Sequence, residues 1–138
     1  KKKKKRKKKT HSLMKSKIAS LSKNTEFKSL LSGKKISNKY STIFFKKLNN
    51  KNNKKFNISF VAKKKLGNAV IRNKIKRRLR NIMNEACKKI DINLNYSYLV
   101  MAKKMIFDEK YINVKKSILI DFKKIKWLRN EKYFYYNN

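Results

Sequence analysis

The stretch GNAVIRNKIKRRLR, residues 67–80, combines dense positive charge with apolar residues that recur every three or four positions. Six of its fourteen side chains are cationic. On a helical wheel at about 100° per residue, the apolar side chains of this stretch and its continuation form one stripe. The pattern predicts an amphipathic helix from about Asn68 to Lys89 that packs the stripe against a core. The stripe consists of Ile71, Ile75, Leu79, Ile82, Met83 and Ala86.

The polar residues of the predicted helix form a basic face beside the stripe. Four of the chain's six arginines fall within nine residues here, although 36 lysines supply its other cations. Because a guanidinium fork matches phosphate and base edges, this clustering indicates a surface that binds a polyanion with defined geometry. The alternative is a solvated helix face with a chance cluster. One flank holds Arg72, Asn73, Lys76, Arg77 and Arg80, and the other holds Lys74, Arg78 and Asn81.

The residues before the helix extend this basic surface. Lys64 and Lys65 precede Gly67, which permits a tight turn, and Asn68 then opens the helix. Since the free amide groups at a helix N-terminus attract anions, the turn adds to the predicted binding surface.

The rest of the chain predicts an α+β domain in which helices cover a mixed sheet. The expected order is α-β-β-α-β-α, with a further short strand around Ile36 left open. The predicted strands are 40–48, 56–62 and 96–102, and the flanking helices are 24–31 and about 108 or 113 to 128.

Charge narrows the class of partner. The chain carries 42 Lys and Arg against 7 Asp and Glu, a net charge of +35. Such a chain favours nucleic acid, with an anionic membrane surface as the second candidate. A spanning helix is not expected, because no apolar run reaches about 18 residues. We expect residues 1–20 to form a basic disordered arm, 21–128 one domain and 129–138 a tail.

The inventory of reactive side chains argues against catalysis by the protein itself. Cys87 is the only cysteine and His11 the only histidine, and the seven acids are scattered. This excludes an intrachain disulfide and a multi-cysteine zinc site, and it leaves no set of residues suited to acid–base or metal catalysis. We therefore assign no catalytic or metal-binding residue and expect another molecule to supply any chemistry.

The segment KKLGNAVIRNKIKRRLR, residues 64–80, resembles the signature of the bacterial ribonuclease P protein family. The flanking NTEFKSLL (24–31) and YSYLVMA (96–102) agree with it, so the resemblance covers roughly residues 21–128. It implies an α/β sandwich with a mixed four-stranded sheet and a left-handed β-α-β crossover.

The resemblance also implies a function. The family's protein binds a catalytic RNA that removes the 5′ leader from precursor tRNA, with Mg²⁺ held mainly by the RNA. Neither a membrane nor an obligate protein partner is expected. The implied compartment is the bacterial cytoplasm or an organelle of bacterial descent.

Two sets of site residues follow from the resemblance. A cleft between the basic helix and the sheet would hold the leader, lined by Phe27, Leu31 and Phe44; without the resemblance, the two Phe residues would be assigned to the core. Leu31 and Phe44 stand where the family usually has Tyr, and Lys74 replaces an Arg of the signature. The residues implied to contact the catalytic RNA are Lys64, Lys65, Asn68, Arg72, Asn73, Lys76, Arg77 and Arg80.

Two rival functions remain open at this point. A structural RNA-binding protein of the ribosomal type would share the charge and the layered fold, but it would not assist cleavage. A DNA-compacting protein would prefer duplex DNA to structured RNA. A membrane-surface peptide fits less well, because the apolar stripe of the basic helix is needed for a core.

Overall fold

A computed structural model describes residues 18–21, 24–48 and 55–127 of the chain. The basic helix has the predicted length, and the C-terminal helix begins between the two predicted starts. The elements are β1 (Ile18–Ala19), α1 (Asn24–Leu31), β2 (Lys34–Ser37), β3 (Ser41–Lys46), β4 (Phe56–Val61), α2 (Ala69–Lys89), β5 (Ser97–Ala102) and α3 (Tyr111–Trp127).

The strands form one mixed sheet in the order β1-β4-β5-β3-β2. β1, β4 and β5 run parallel to one another, whereas β3 is antiparallel to both β5 and β2. Helix α2 connects β4 to its parallel neighbour β5, so the chain contains the β-α-β unit that the resemblance implied. The left-handedness of that crossover stays a prediction.

The predicted α+β class is confirmed, but among the residues described the sheet has five strands instead of four. The strand left open around Ile36 is present as β2. The additional strand is β1, where Ile18 and Ala19 pair with Phe56 and Asn57. A two-residue strand has no hydrophobic period, so the sequence could not reveal it.

The predicted boundary between arm and domain is therefore too late. The domain includes residue 18, and the backbone amide of Leu21 donates to Ser59 Oγ at 2.8 Å. The remainder of the predicted arm, residues 1–17, and the predicted tail, residues 129–138, lie outside the described residues.

Alternation along the strands divides the apolar residues between the two faces of the sheet. Helices α2 and α3 cover the first face and form the main core with side chains such as Ile58, Tyr98 and Phe122. Helix α1 covers part of the second face, where Leu30 packs with Leu99 in a smaller cluster. We call these the α2 side and the α1 side of the sheet. The basic helix is thus fixed to the domain by its apolar stripe.

A glycine fixes the direction in which the chain enters α2. Gly67 has φ +146°, and a Cβ placed there would lie 2.9 Å from Ile71 Cγ2. One residue later, the side-chain oxygen of Asn68 accepts a hydrogen bond from the Ile71 amide at 3.0 Å and caps the helix. The start of the basic helix therefore depends on both residues.

Replacing this glycine is expected to destabilise the fold. Gly67→Ala should lower the free energy of unfolding by about 1–3 kcal/mol, because a side chain at this φ is strained and meets Ile71. Urea titration followed by circular dichroism measures the change. Asn73→Ala, at an exposed position of the same helix, serves as the control and should shift the midpoint little. An unchanged midpoint for Gly67→Ala would contradict the assigned turn geometry.

Candidate RNA interface

The apolar stripe of α2 is buried as predicted. Five of its six residues lie in the main core, and Ile71 packs against that core as a partly buried residue. Because the stripe faces the sheet, the polar residues of the same helix are left toward solvent. The basic face is therefore a surface of a folded domain and not part of a solvated charge run.

The structure places all eight predicted RNA-contact residues along α2 and the turn that precedes it. Lys64 and Lys65 belong to a short 3₁₀ turn immediately before the helix. Arg72 and Lys76 are partly buried, and the others are exposed. The exposed residues are Lys64, Lys65, Asn68, Asn73, Arg77 and Arg80.

Contacts within the protein orient part of this face. Arg72 Nε donates to the Gly67 carbonyl oxygen at 3.2 Å, and the Arg80 guanidinium carbon lies 5.7 Å from the centroid of the Phe60 ring. Within the part of the chain that the structure describes, the side chains of Lys76 and Arg77 form no hydrogen bond or ion pair. These two cations are therefore available to a ligand, while Arg72 and Arg80 are held in position beside them.

Arg78 differs from the other arginines of the cluster. Its Nη1 donates to the carbonyl oxygens of Ile106 and Glu109, at 3.1 and 3.0 Å. These bonds tie the turn before α3 to the basic helix. In the sequence, Arg78 belongs to the same cluster of arginines as Arg72, Arg77 and Arg80. Only its position on the opposite flank of the helical wheel indicated a different role.

Neighbouring acids are paired with protein donors. Glu85 forms an ion pair with Lys115 and accepts a hydrogen bond from the Tyr111 hydroxyl, and these contacts lower the pKa of its carboxyl. Hydrogen bonds, the largest contribution coming from Asn113, likewise lower the pKa of Glu109. Both carboxylates are stabilised as anions by partners from the protein, and in the described part of the chain neither pairs with Lys76 or Arg77.

The predicted leader residues do not lie between the basic helix and the sheet. Phe44, 9% exposed, points to the α1 side, where Phe27 packs against the same small cluster. The α2 side holds Ile43 and Phe45, which point the opposite way, and it is filled by the main core. The predicted position of the cleft is therefore wrong: Phe27 and Phe44 come together, but on the other face of the sheet.

Leu31, the third predicted leader residue, stands apart from this pair. It is 47% exposed at the last position of α1 and does not belong to the α1-side cluster. Helix periodicity explains the separation, because Leu30 takes the buried position and turns its neighbour toward solvent.

The α1 side of the sheet also presents residues that the site prediction left out. Val61, Met101 and Thr42 are partly buried and lie in register across β4, β5 and β3. Val61 and Met101 pack against the same small cluster as Phe27. The alternation of β4 indicated that Val61 faces away from the core residues Ile58 and Phe60, but sequence alone did not relate it to Phe27.

The described residues also bear on metal binding and membrane insertion. Within residues 18–21, 24–48 and 55–127, no group of three or more His, Cys, Asp or Glu side chains could hold a metal ion. Among the helices described, none is long and apolar enough to cross a membrane.

The fold is a mixed sheet with helices on both faces, and helix α2 presents arginines to solvent. These features define a small basic nucleic-acid-binding domain. The family profile described as Ribonuclease P matches residues 14–126. The chain belongs to the ribonuclease P protein family.

Relatives and solved structures agree with this assignment. The chain is 33% identical to the ribonuclease P protein component of Mycoplasma mycoides over 106 residues, which cover 77% of this chain and 94% of the relative. It is 38% identical to that of Fusobacterium nucleatum over 112 residues, covering 77% and 96%. The RNase P protein of Staphylococcus aureus matches with a TM-score of 0.64 and 27% identity, covering 80% of this chain and 97% of that one. The fold is also that of the Thermotoga maritima protein, with a TM-score of 0.65 at 23% identity and coverage of 77% and 96%.

Membership of the family establishes the general function. The chain is the protein part of an RNA-catalysed endonuclease that acts in tRNA 5′ processing, and it associates with ribonuclease P RNA. The rival assignments to a ribosomal-type protein and a DNA-compacting protein are not supported by these relationships.

Proposed function

We propose that the exposed flank of α2 and the turn before it bind the catalytic RNA of ribonuclease P. The observation that carries this proposal is that the side chains of Lys76 and Arg77 have no partner among the described residues and lie beside the oriented Arg72 and Arg80. Lys64, Lys65, Asn68 and Asn73 complete the proposed contact surface. Since Asn68 Oδ1 already caps the helix, its side-chain NH₂ group is the part left to donate to RNA.

The α1 side of the sheet is the proposed site for the single-stranded 5′ leader of precursor tRNA. Phe27, Val61 and Met101 are partly buried and pack against the same small apolar cluster, so a partly exposed aromatic ring lies on an apolar face of the sheet, which suits stacking of unpaired bases. Nearby, the Ser37 and Thr42 hydroxyls bond to each other at 2.9 Å. Because those hydroxyls are paired and lie beside an apolar surface, we expect the protein to contact the faces of the bases more than the hydrogen-bonding groups at their edges.

The chain's part in cleavage is to bind and position RNA. Mg²⁺ held by the catalytic RNA would activate the water that hydrolyses the phosphodiester. The protein's cations would reduce phosphate repulsion between catalytic RNA and precursor, so precursor binding should need less Mg²⁺ when the protein is present. The bacterial relatives support the bacterial cytoplasm, or an organelle of bacterial descent, as the compartment.

Reconstitution tests this proposal. Purified protein, a bacterial ribonuclease P RNA and precursor tRNAs with leaders of graded length are combined at low Mg²⁺, and cleavage rates are compared with and without protein. We expect strong stimulation that grows with leader length. RNA binding without stimulation would instead support a structural role in the ribonucleoprotein.

A variant of Phe27 separates leader binding from RNA binding in general. Phe27→Ala should lower affinity for precursors with leaders of several nucleotides by roughly 1–3 kcal/mol, the typical contribution of one stacked base. Ile120→Ala, which removes an exposed apolar side chain of α3, is the control. Equal losses for leader-bearing precursor and mature tRNA would argue against a leader site at Phe27.

A further inference from the structure

A small depression lies on the flank of α2 opposite Arg72 and Lys76. It is formed where the 3₁₀ turn Lys104–Ile106 and the following Phe107 meet the helix. Its volume is about 140 Å³, well below the roughly 300–1,000 Å³ typical of sites for larger ligands. The lining residues are Ile71, Lys74, Ile75, Arg78, Ile106 and Phe107.

The aromatic wall of this depression is held in place. The two hydrogen bonds from Arg78 fix the carbonyl groups of Ile106 and Glu109 against α2. Ile106 is buried in the main core, and the Phe107 amide donates to the Lys104 carbonyl oxygen at 3.3 Å. Phe107 is nevertheless 46% exposed. An aromatic ring is thus presented to solvent from an anchored turn.

Cationic groups continue from this depression to the proposed RNA-contact flank. A second depression, lined by Lys74, Arg77, Arg78, Asn81 and Tyr111, shares Lys74 and Arg78 with the first. Arg77 therefore borders both the second depression and the proposed RNA surface. Apolar and aromatic groups beside cations match the two parts of an unpaired nucleotide, its base and its phosphate.

The acids near Phe107 leave this charge pattern positive. Glu109 accepts hydrogen bonds from the Tyr40 hydroxyl and Asn113, as described for its lowered pKa. Asp108 is exposed, but exposed lysines at 104 and 110 stand on either side of it in the chain. The side chains around the depression therefore carry a net positive charge, which favours an anionic ligand.

We infer that this depression binds one unpaired nucleobase of the catalytic RNA, stacked on Phe107, with neighbouring phosphates on Lys74 and Arg77. The inference rests on the proposed binding of that RNA to α2. It adds a base contact on the second flank of the helix, so the RNA would contact α2 on both sides of its exposed face. Arg78 positions the turn and hence the Phe107 ring.

Three variants of the same turn test the inference. Binding of a bacterial ribonuclease P RNA is measured without precursor tRNA, so the leader site is not engaged. Phe107→Ala should weaken binding about 5- to 100-fold, with an unchanged dependence of affinity on salt, because it removes stacking and no charge. Phe107→Trp should retain most of the affinity. Met105→Ala is the matched control, since Met105 is 59% exposed in the same turn and does not line the depression.

The possible results distinguish this inference from the proposed function. If Phe107→Ala binds RNA as Met105→Ala does while Lys76→Ala/Arg77→Ala binds weakly, the base site is wrong and the α2 interface stands. If neither Phe107→Ala nor the double variant loses affinity, the α2 interface itself fails. If Phe107→Ala instead lowers the melting temperature of the free protein and leaves RNA affinity unchanged, the Phe107 ring contributes to folding and not to RNA binding, and the base site is wrong.

Discussion

Lys76→Ala/Arg77→Ala is expected to weaken binding to a bacterial ribonuclease P RNA by about 10- to 100-fold near physiological salt. Each charge-assisted contact that is lost contributes roughly 1 kcal/mol or more. Each phosphate contact also releases counterions, so losing two should reduce the slope of log affinity against log salt concentration by just under two. Filter binding or fluorescence anisotropy over a salt series measures both quantities.

A second double variant isolates position from net charge. Lys123→Ala/Lys124→Ala removes the same two charges from exposed positions of α3. We expect a smaller loss from this control, because long-range attraction at physiological salt is screened over about 8 Å. Equal losses and equal slopes for the two double variants would show that the RNA responds to total charge, and the α2 surface would then not be the interface.

Leu79→Ala is expected to cause the largest loss of stability. Leu79 is 0% exposed and lies at the centre of the stripe that joins α2 to the sheet. Truncating a buried leucine costs about 2–5 kcal/mol through lost burial and the cavity that remains. For a domain with a typical stability of about 5–15 kcal/mol, that is a large fraction. Urea unfolding of the RNA-free protein measures it.

An exposed leucine provides the matched control for this variant. Leu31→Ala makes the same chemical change at a 47% exposed position and should alter the unfolding midpoint little. Because RNA binds the folded protein, adding ribonuclease P RNA should raise the melting temperature of Leu79→Ala. Similar losses for the two variants would indicate that the α2 stripe does not pack against the sheet.

The basic face of α2 was predictable from sequence because a helix relates its residues by a fixed local period. The residues that separate the stripe from the cations are three and four positions apart, so their relative placement does not depend on the rest of the fold. The turn at Gly67 was equally local. All eight predicted RNA-contact residues consequently lie where the sequence placed them, at exposed or partly buried positions.

The leader residues were predicted less well because their placement depends on layers of the fold. Phe27, Leu31 and Phe44 come from two separate elements, and sequence alone did not show which face of the sheet each element covers. The family resemblance supplied the residues, but the cleft was assigned to the α2 side. Strand alternation and the position of α1 put Phe27 and Phe44 on the opposite side.

By itself, the sequence determined the charge, the amphipathic helix with its Arg-rich face, the α+β class and the resemblance to a family of RNA-binding proteins. The charge depends on composition, the helix and the fold class depend on local periodicity, and the resemblance depends on the signature at residues 64–80. Only the tertiary structure decided the pairing of β1, the side of the sheet that carries Phe27, and the anchoring role of Arg78. Those features depend on contacts between residues far apart in the chain, such as Arg78 with Ile106, 28 positions on. Such contacts arise when the apolar faces of several elements pack together, and no local pattern encodes them.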